Sequence, residues 1–70
     1  MRTEKHLRLT GFSDVSWKDA IIKTITEASK TIDYLSSVTI LEQTAKLDGN
    51  KIVEYSATID LTFYIDNNRG

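Results

Sequence analysis

The C-terminal part of the chain contains one long segment in which apolar and polar side chains alternate. Residues 52–66 read IVEYSATIDLTFYID, and this two-residue period is typical of a strand with one face buried. About 14 such residues, at roughly 3.3 Å each, span about 45 Å. The first constraint on the fold is therefore what covers the apolar side of this strand. The residues predicted on that side are Val53, Tyr55, Ala57, Ile59, Leu61, Phe63 and Ile65.

The rest of the chain offers little material to cover so long a strand. Its 70 residues, 40% of them hydrophobic, predict a single domain over 1–70 with an ordered core at about 4–66. Domains of this size usually need disulfides, metal or association with other chains. Because there is no cysteine, association is the expected means of stabilisation.

Charge and hydropathy exclude several classes of protein. The net charge of -1, with acids and bases interleaved, argues against a nucleic-acid partner. No apolar run approaches the roughly 18 residues of a membrane span, and residues 1–6 lack the apolar centre of a signal peptide. We therefore expect a cytoplasmic protein with neither nucleic-acid nor membrane partners.

Local patterns predict four elements in the order β-α-β-β. Residues 5–10 form a short strand that ends in a turn at Gly11, and residues 16–32 have apolar positions at helical spacing, with Ser16 and Asp19 as a capping box. Residues 38–47 form a second strand, joined to the long strand by a tight turn at 48–50. The predicted fold class is α+β, with a three-stranded antiparallel sheet and one helix.

The lengths of the elements predict that part of the sheet is left uncovered. A 17-residue helix, at about 1.5 Å per residue, covers roughly 25 Å of a strand about 45 Å long. An uncovered apolar sheet surface usually marks a contact between subunits. We expect a homo-oligomer, with Ile59 and Leu61 on the overhanging face.

Several short segments in a fixed order resemble one family. They are LTGFS at the end of the first strand, SWKDAI and EASKTI at the two ends of the helix, and DGNKIVEY followed by TIDLTFYID. In this order and spacing, over about residues 4–66, the sequence resembles the dodecin family. The resemblance implies a sheet wrapped around its helix and twelve protomers closed into a hollow shell. It also implies flavin, as FMN or riboflavin, bound by a tryptophan at the start of the second strand and a glutamine early in the third.

Two positions depart from the pattern of the flavin-binding members. Counted without gaps, the tryptophan position falls on Ser37 and the glutamine position on Ser56. A serine has no aromatic face, so the stacking contribution of about 0.5–1.5 kcal/mol per aromatic pair is absent. Ser37 and Ser56 remain candidates for a small polar pocket, and Tyr34 could supply an aromatic surface beside it or simply pack the corner.

The remaining chemistry-bearing residues favour structural roles. Trp17 and Tyr55 are expected to pack between helix and sheet, although a displaced stacking role for Trp17 is an alternative. His6, the single histidine, has no cysteine or second histidine with which to form a zinc site or a catalytic triad within one chain. No catalytic residue and no metal ligand is assigned, although carboxylates from several copies could meet on one ion.

The sequence therefore predicts a non-enzymatic, dodecin-like shell that binds or stores small molecules between subunits. The alternative is a flavin-free assembly that binds metal ions or another small ligand, or is purely structural. An enzyme would require residues from several subunits to converge on one site.

Overall fold

The structure is a computed structural model that describes residues 2–66. Strand β1 spans Arg2–Ser13, helix α1 Trp17–Ala28, strand β2 Leu35–Asp48 and strand β3 Lys51–Asp66. The strands form one antiparallel sheet in the order β1-β3-β2. This arrangement confirms the predicted α+β class and the β-α-β-β order. The predicted domain bounds, 1–70, include residues outside the described range.

The strands are longer than the sequence patterns predict. Strand β1 begins at Arg2 and pairs with residues 55–66 of β3, and β2 begins at Leu35 rather than at residue 38. The predicted turn at 48–50 is confirmed. Gly49 has φ of 66°, a left-handed conformation that glycine adopts without steric cost, and Asp48 pairs with Lys51 across it.

Helix α1 begins as predicted and ends earlier than predicted. The Ser16 hydroxyl accepts a hydrogen bond from the Asp19 backbone N–H at 2.9 Å, so Ser16 is the N-cap. The Asp19 carboxylate accepts from the Ser13 hydroxyl at 2.6 Å instead of reaching back to the cap. The helix stops at Ala28, not at residue 32, and Ser29 is its C-cap. Serine and threonine hydroxyls compete for backbone partners, as the bond from Ser29 to the Thr26 carbonyl shows.

Residues that pair across the sheet share a face, so the register defines rows of side chains. One row consists of Leu7, Leu61 and Val38, and the next of Leu9, Ile59 and Ile40. Helix α1 contacts β1 and β3, and it buries the middle members of both rows. Ile59 and Leu61 form the core with Ala28.

Small residues bring α1 close to the sheet. Ala20 and Ala57 are fully buried, and Gly11 lies within β1 as the partner of Ala57. A Cβ on Gly11 would lie 1.7 Å from the Thr24 Oγ1 and 3.0 Å from the Ala20 carbonyl oxygen. The interpretation of Gly11 as a turn was therefore wrong. It is a strand residue that allows the helix to approach.

The uncovered apolar surface exists, but not where the sequence placed it. Ile59 and Leu61 were expected on the overhang and are instead buried within the protomer. Along the sheet, the 12-residue helix spans about 18 Å and the 16-residue β3 about 53 Å. Helix α1 also lies over the β1–β3 side of the sheet and leaves the β2 side open. In residues 2–66, no helix is long and apolar enough to cross a membrane.

Candidate functional site

An aromatic cleft lies where the chain leaves α1 and enters β2. Tyr34 is 83% exposed and faces a cleft of about 250 Å³ whose other walls include Phe63, Tyr64 and Ile65. The Arg2 guanidinium lies 4.3 Å from the centre of the Tyr64 ring, so a cation is held at one side of the cleft. Tyr34 thus presents a largely exposed aromatic ring, and its role beside a ligand pocket stays a prediction.

Ser37 lies next to the aromatic cleft. It pairs with Thr62 after an irregularity in β2 between Leu35 and Ser37, and it lines a second cleft of about 180 Å³ between β2 and α1. Leu35 lies between Tyr34 and Ser37 along the chain and pairs with Phe63. Tyr34 and Ser37 therefore belong to one end of the protomer.

Ser56 lies in a different region of the sheet. It pairs with Thr44 on β2 and with Phe12 on β1, and it precedes the Ser37 partner, Thr62, by six residues on β3. Six strand residues span about 20 Å. Within one protomer, Ser37 and Ser56 do not line a common pocket, and a pocket that used both would need two copies of the chain.

The Ser56 hydroxyl already has protein partners. It is hydrogen-bonded to the Thr44 hydroxyl and lies 3.5 Å from the Thr44 carbonyl oxygen. The same carbonyl accepts a bond from the Trp17 indole N–H at 2.8 Å. Of the two serines, Ser37 is therefore the one left free to contact a ligand.

Trp17 is used for packing. Its ring meets the Tyr55 ring edge-on, with centroids 4.8 Å apart and an interplanar angle of 76°, a favourable geometry for aromatic pairs. Both side chains are half-buried. This arrangement supports the predicted packing role, and Trp17 lies near Ser56 rather than near Ser37.

A groove between β1 and α1 was not predicted from the sequence. It has a volume of about 490 Å³ and an apolar floor of Leu7, Leu9 and Ala28. Its rim includes Lys23 and Glu27. The floor comes from two elements far apart in the chain, so the alternation at Leu7 and Leu9 was the only signal available, and it indicates burial rather than a groove.

The charged groups around α1 stabilise the helix. Asp19 accepts from the Ser13 hydroxyl and forms an ion pair with Lys23 at 2.9 Å. The Ser13 bond first, and then Lys23, lower the pKa of the Asp19 carboxyl, while Asp19 raises the pKa of Lys23. Among residues 2–66, no group of three or more histidine, aspartate or glutamate side chains is arranged to hold a metal ion.

Comparison with solved structures finds the same fold in several proteins. A mutant of the T. thermophilus dodecin superposes with a TM-score of 0.88 at 21% identity, over 96% of this chain and 100% of that chain. The dodecin from Streptomyces davaonensis gives 0.85 at 24% identity, over 94% and 97%. The calcium dodecin from Mycobacterium tuberculosis, described as a calcium-chelating antigen with a novel calcium-binding site, gives 0.80 at 19% identity, over 97% of each chain.

Comparison of the sequence identifies a family but no individual curated relative. No curated protein matches the chain. The sequence profile of the family described as Dodecin matches residues 3–66, which is nearly the whole chain. Together with the β-α-β-β fold, this match establishes that the chain belongs to the dodecin family.

Proposed function

We propose that this chain assembles into a hollow homododecamer that binds and stores a small molecule between its subunits without catalysing a reaction. The observation that carries the proposal is the half-covered apolar face of the sheet. Ile59 is fully buried under α1, whereas Ile40, its neighbour in the same row, is 48% exposed. An apolar surface of this kind on a folded chain is typical of a subunit contact.

Assembly would also complete the ligand site. The aromatic cleft and the Ser37 cleft are both open to solvent in a single protomer, and Ser56 is about 20 Å away along β3. A second copy placed against this end of the protomer would close the clefts and could bring its own side chains to the ligand.

Flavin is the family ligand to test first. The tryptophan and glutamine positions are Ser37 and Ser56, and Ser56 is bonded to Thr44. The remaining aromatic surface beside Ser37 is Tyr34, so a flavin ring that binds here would stack on Tyr34. The rival is a flavin-free shell that holds an ion or another polar ligand. It is favoured by the absence of an aromatic side chain at position 37 and by the calcium binding for which one solved relative is named.

The test combines the mass of the assembly with ligand titrations. Native mass spectrometry should give a dodecamer, and a stable monomer would overturn the shell. FMN and riboflavin are then titrated into the assembled protein, and flavin fluorescence is followed. If Tyr34 stacks on the flavin, quenching should persist in Tyr34→Phe, which keeps the ring, and be lost in Tyr34→Ser.

The absence of flavin binding would distinguish between the two proposed functions. If the wild type is assembled and does not quench flavin, the flavin function is wrong and the flavin-free alternative stands. Calcium titration by calorimetry is then the next measurement. Because residues 2–66 of one protomer contain no three-ligand cluster, calcium binding would have to disappear when the assembly is dissociated.

A further inference from the structure

The single histidine lies between two carboxylates on the sheet face opposite α1. The His6 Nδ1 is 2.7 Å from the Asp60 Oδ2, and its Nε2 is 2.6 Å from the Glu4 Oε2. Glu4 is two residues away on β1, and Asp60 is on β3, diagonal to His6. Both ring nitrogens are therefore occupied by carboxylates from two adjacent strands.

This geometry requires a particular protonation state of the ring. An ionised carboxylate can only accept a hydrogen bond, so each ring nitrogen must donate one. Neutral imidazole has a single N–H, whereas imidazolium has two. We propose that Glu4, His6 and Asp60 form a proton-dependent clamp that holds the N-terminal half of edge strand β1 against β3, closed with the doubly protonated ring and weakened when the ring loses a proton.

The structure also contains the partner for the deprotonated ring. The Thr62 hydroxyl lies 3.3 Å from the His6 Nδ1, and Thr62 is itself a buried residue. When Nδ1 loses its proton, the Thr62 hydroxyl donates to it, and Nε2–H keeps its bond to Glu4. The cross-strand bond to Asp60 is lost, so a charge-assisted bond is exchanged for a weaker neutral one.

Several other charged groups lie on the same face of the sheet as the clamp. On this face β1 also carries Arg2 and Arg8, the latter paired with Asp60, and Tyr64 on β3 pairs with Glu4. The β2 residues paired with Thr62 and Asp60 are the uncharged Ser37 and Thr39, and the next charged residue of β2 is Glu42, which pairs with Thr58. Helix α1 lies on the other face of the sheet. The clamp changes from a net charge of -1 to -2 when His6 is deprotonated, while the two arginines keep their charge.

The two hydrogen bonds also set the direction in which the His6 pKa is shifted. The bond to Asp60 first, and then the bond to Glu4, raise the pKa of His6 above its ordinary value. A raised pKa in the folded state means that the stabilisation is complete below the unfolded value, near 6.5. It is lost as the pH rises through the folded value. The clamp is therefore closed in mildly acidic solution and weakens toward alkaline pH.

The test uses the fact that the chain has one histidine. Ring ¹⁵N signals of the full-length protein are followed by NMR against pH, with the urea-unfolded chain as reference. We expect a midpoint above that of the unfolded chain and an Nε2–H tautomer at high pH. The amide protection factors of residues 4–8, which correct each exchange rate for its intrinsic rise with pH, should fall through the same transition. A midpoint at or below the unfolded one, or an Nδ1–H tautomer at high pH, would overturn the proposal.

Variants separate the clamp from general strand stability. Asp60→Asn should lower the midpoint more than Glu4→Gln. His6→Gln should abolish the pH dependence of the protection factors in residues 4–8. The control is Thr58→Val, which removes the 2.9 Å hydroxyl contact to Thr10 between the same two strands and should leave the midpoint unchanged. An equal shift in the control, or protection factors that still fall with pH in His6→Gln, would assign the effect to something other than the clamp. The wild-type titration decides the matter even if a variant fails to fold.

Discussion

The two halves of one sheet face differ in how they are covered. On the β1–β3 side, α1 buries Ile59 and Leu61 completely, while on the β2 side their row partners Ile40 and Val38 remain 48% and 38% exposed. The side chains are of similar size and hydrophobicity, so the sequence pattern alone does not distinguish them. The difference shows that the fold of one protomer determines the burial of only half the face. We call Val38 and Ile40 the open strip.

The largest expected effect comes from placing a lysine on each side of this boundary. Ile59→Lys should prevent folding, because a charge without a partner would be buried under α1. Ile40→Lys should leave a folded protomer, because the lysine can reach solvent from the open strip, but it should dissociate the assembly. Circular dichroism checks folding, and native mass spectrometry checks the oligomeric state.

Two other outcomes for Ile40→Lys would contradict this expectation. If Ile40→Lys also unfolds the chain, then the protomer has no stability of its own, and the open strip belongs to an obligate interface. If Ile40→Lys stays fully assembled, the open strip is not a subunit contact. The milder variants Ile59→Ala and Ile40→Ala should rank in the same order. Ile59→Ala should lower the free energy of unfolding by about 2–5 kcal/mol, because it truncates a buried side chain, and Ile40→Ala should lower it less.

The covered half depends on the close approach of α1, which gives the second prediction. In Gly11→Ala the new Cβ would overlap the Thr24 hydroxyl and touch the Ala20 carbonyl oxygen. Overpacking of this kind costs about 1–3 kcal/mol, measured as the loss of unfolding free energy in urea. Adding Thr24→Ala should restore part of that loss, because it removes the atom 1.7 Å away.

The variant Gly49→Ala is the control for Gly11→Ala. Nothing lies within 4 Å of a Cβ placed on Gly49, and its φ is 66°. Gly49→Ala should therefore cost only the strain of a left-handed alanine, about 1–2 kcal/mol, and Thr24→Ala should not rescue it. Rescue of both glycine variants by Thr24→Ala would show that steric contact with α1 is not the cause.

The sequence predicted the fold well because its main signals are local. Alternation in residues 52–66, helical spacing after Ser16 and the Asp48–Asn50 turn each depend on neighbouring residues. What the sequence did not show is how far α1 is displaced toward β1. That displacement depends on the small residues Gly11, Ala20 and Ala57 meeting in space, and no local pattern records it. The sequence therefore correctly predicted an uncovered apolar surface on the sheet. It assigned that surface to Ile59 and Leu61, which are buried.

The candidate site stays a prediction, because the sequence does not show where its residues lie relative to one another. The positions of Tyr34, Ser37 and Ser56 came from a family pattern, which does not show whether they meet. Their separation within one protomer follows from the register of β2 on β3. The clamp at His6 could not be found from spacing, because Glu4 and Asp60 come from opposite ends of the chain.

The smallest expected effect tests a contact that joins the two halves. The Trp17 indole on α1 donates to the Thr44 carbonyl of β2 at 2.8 Å, and thus links the helix to the less covered strand. Trp17→Phe removes the N–H and keeps an aromatic ring against Tyr55. It should cost about 0.5–1.5 kcal/mol, the usual net value of one hydrogen bond, measured by urea unfolding. Tyr55→Leu is the matched change, since it removes the aromatic pair and keeps the N–H bond. If the link matters, Trp17→Phe alone should speed amide exchange in β2 around Thr44, whereas equal acceleration in both variants would mean that packing rather than the bond joins the halves.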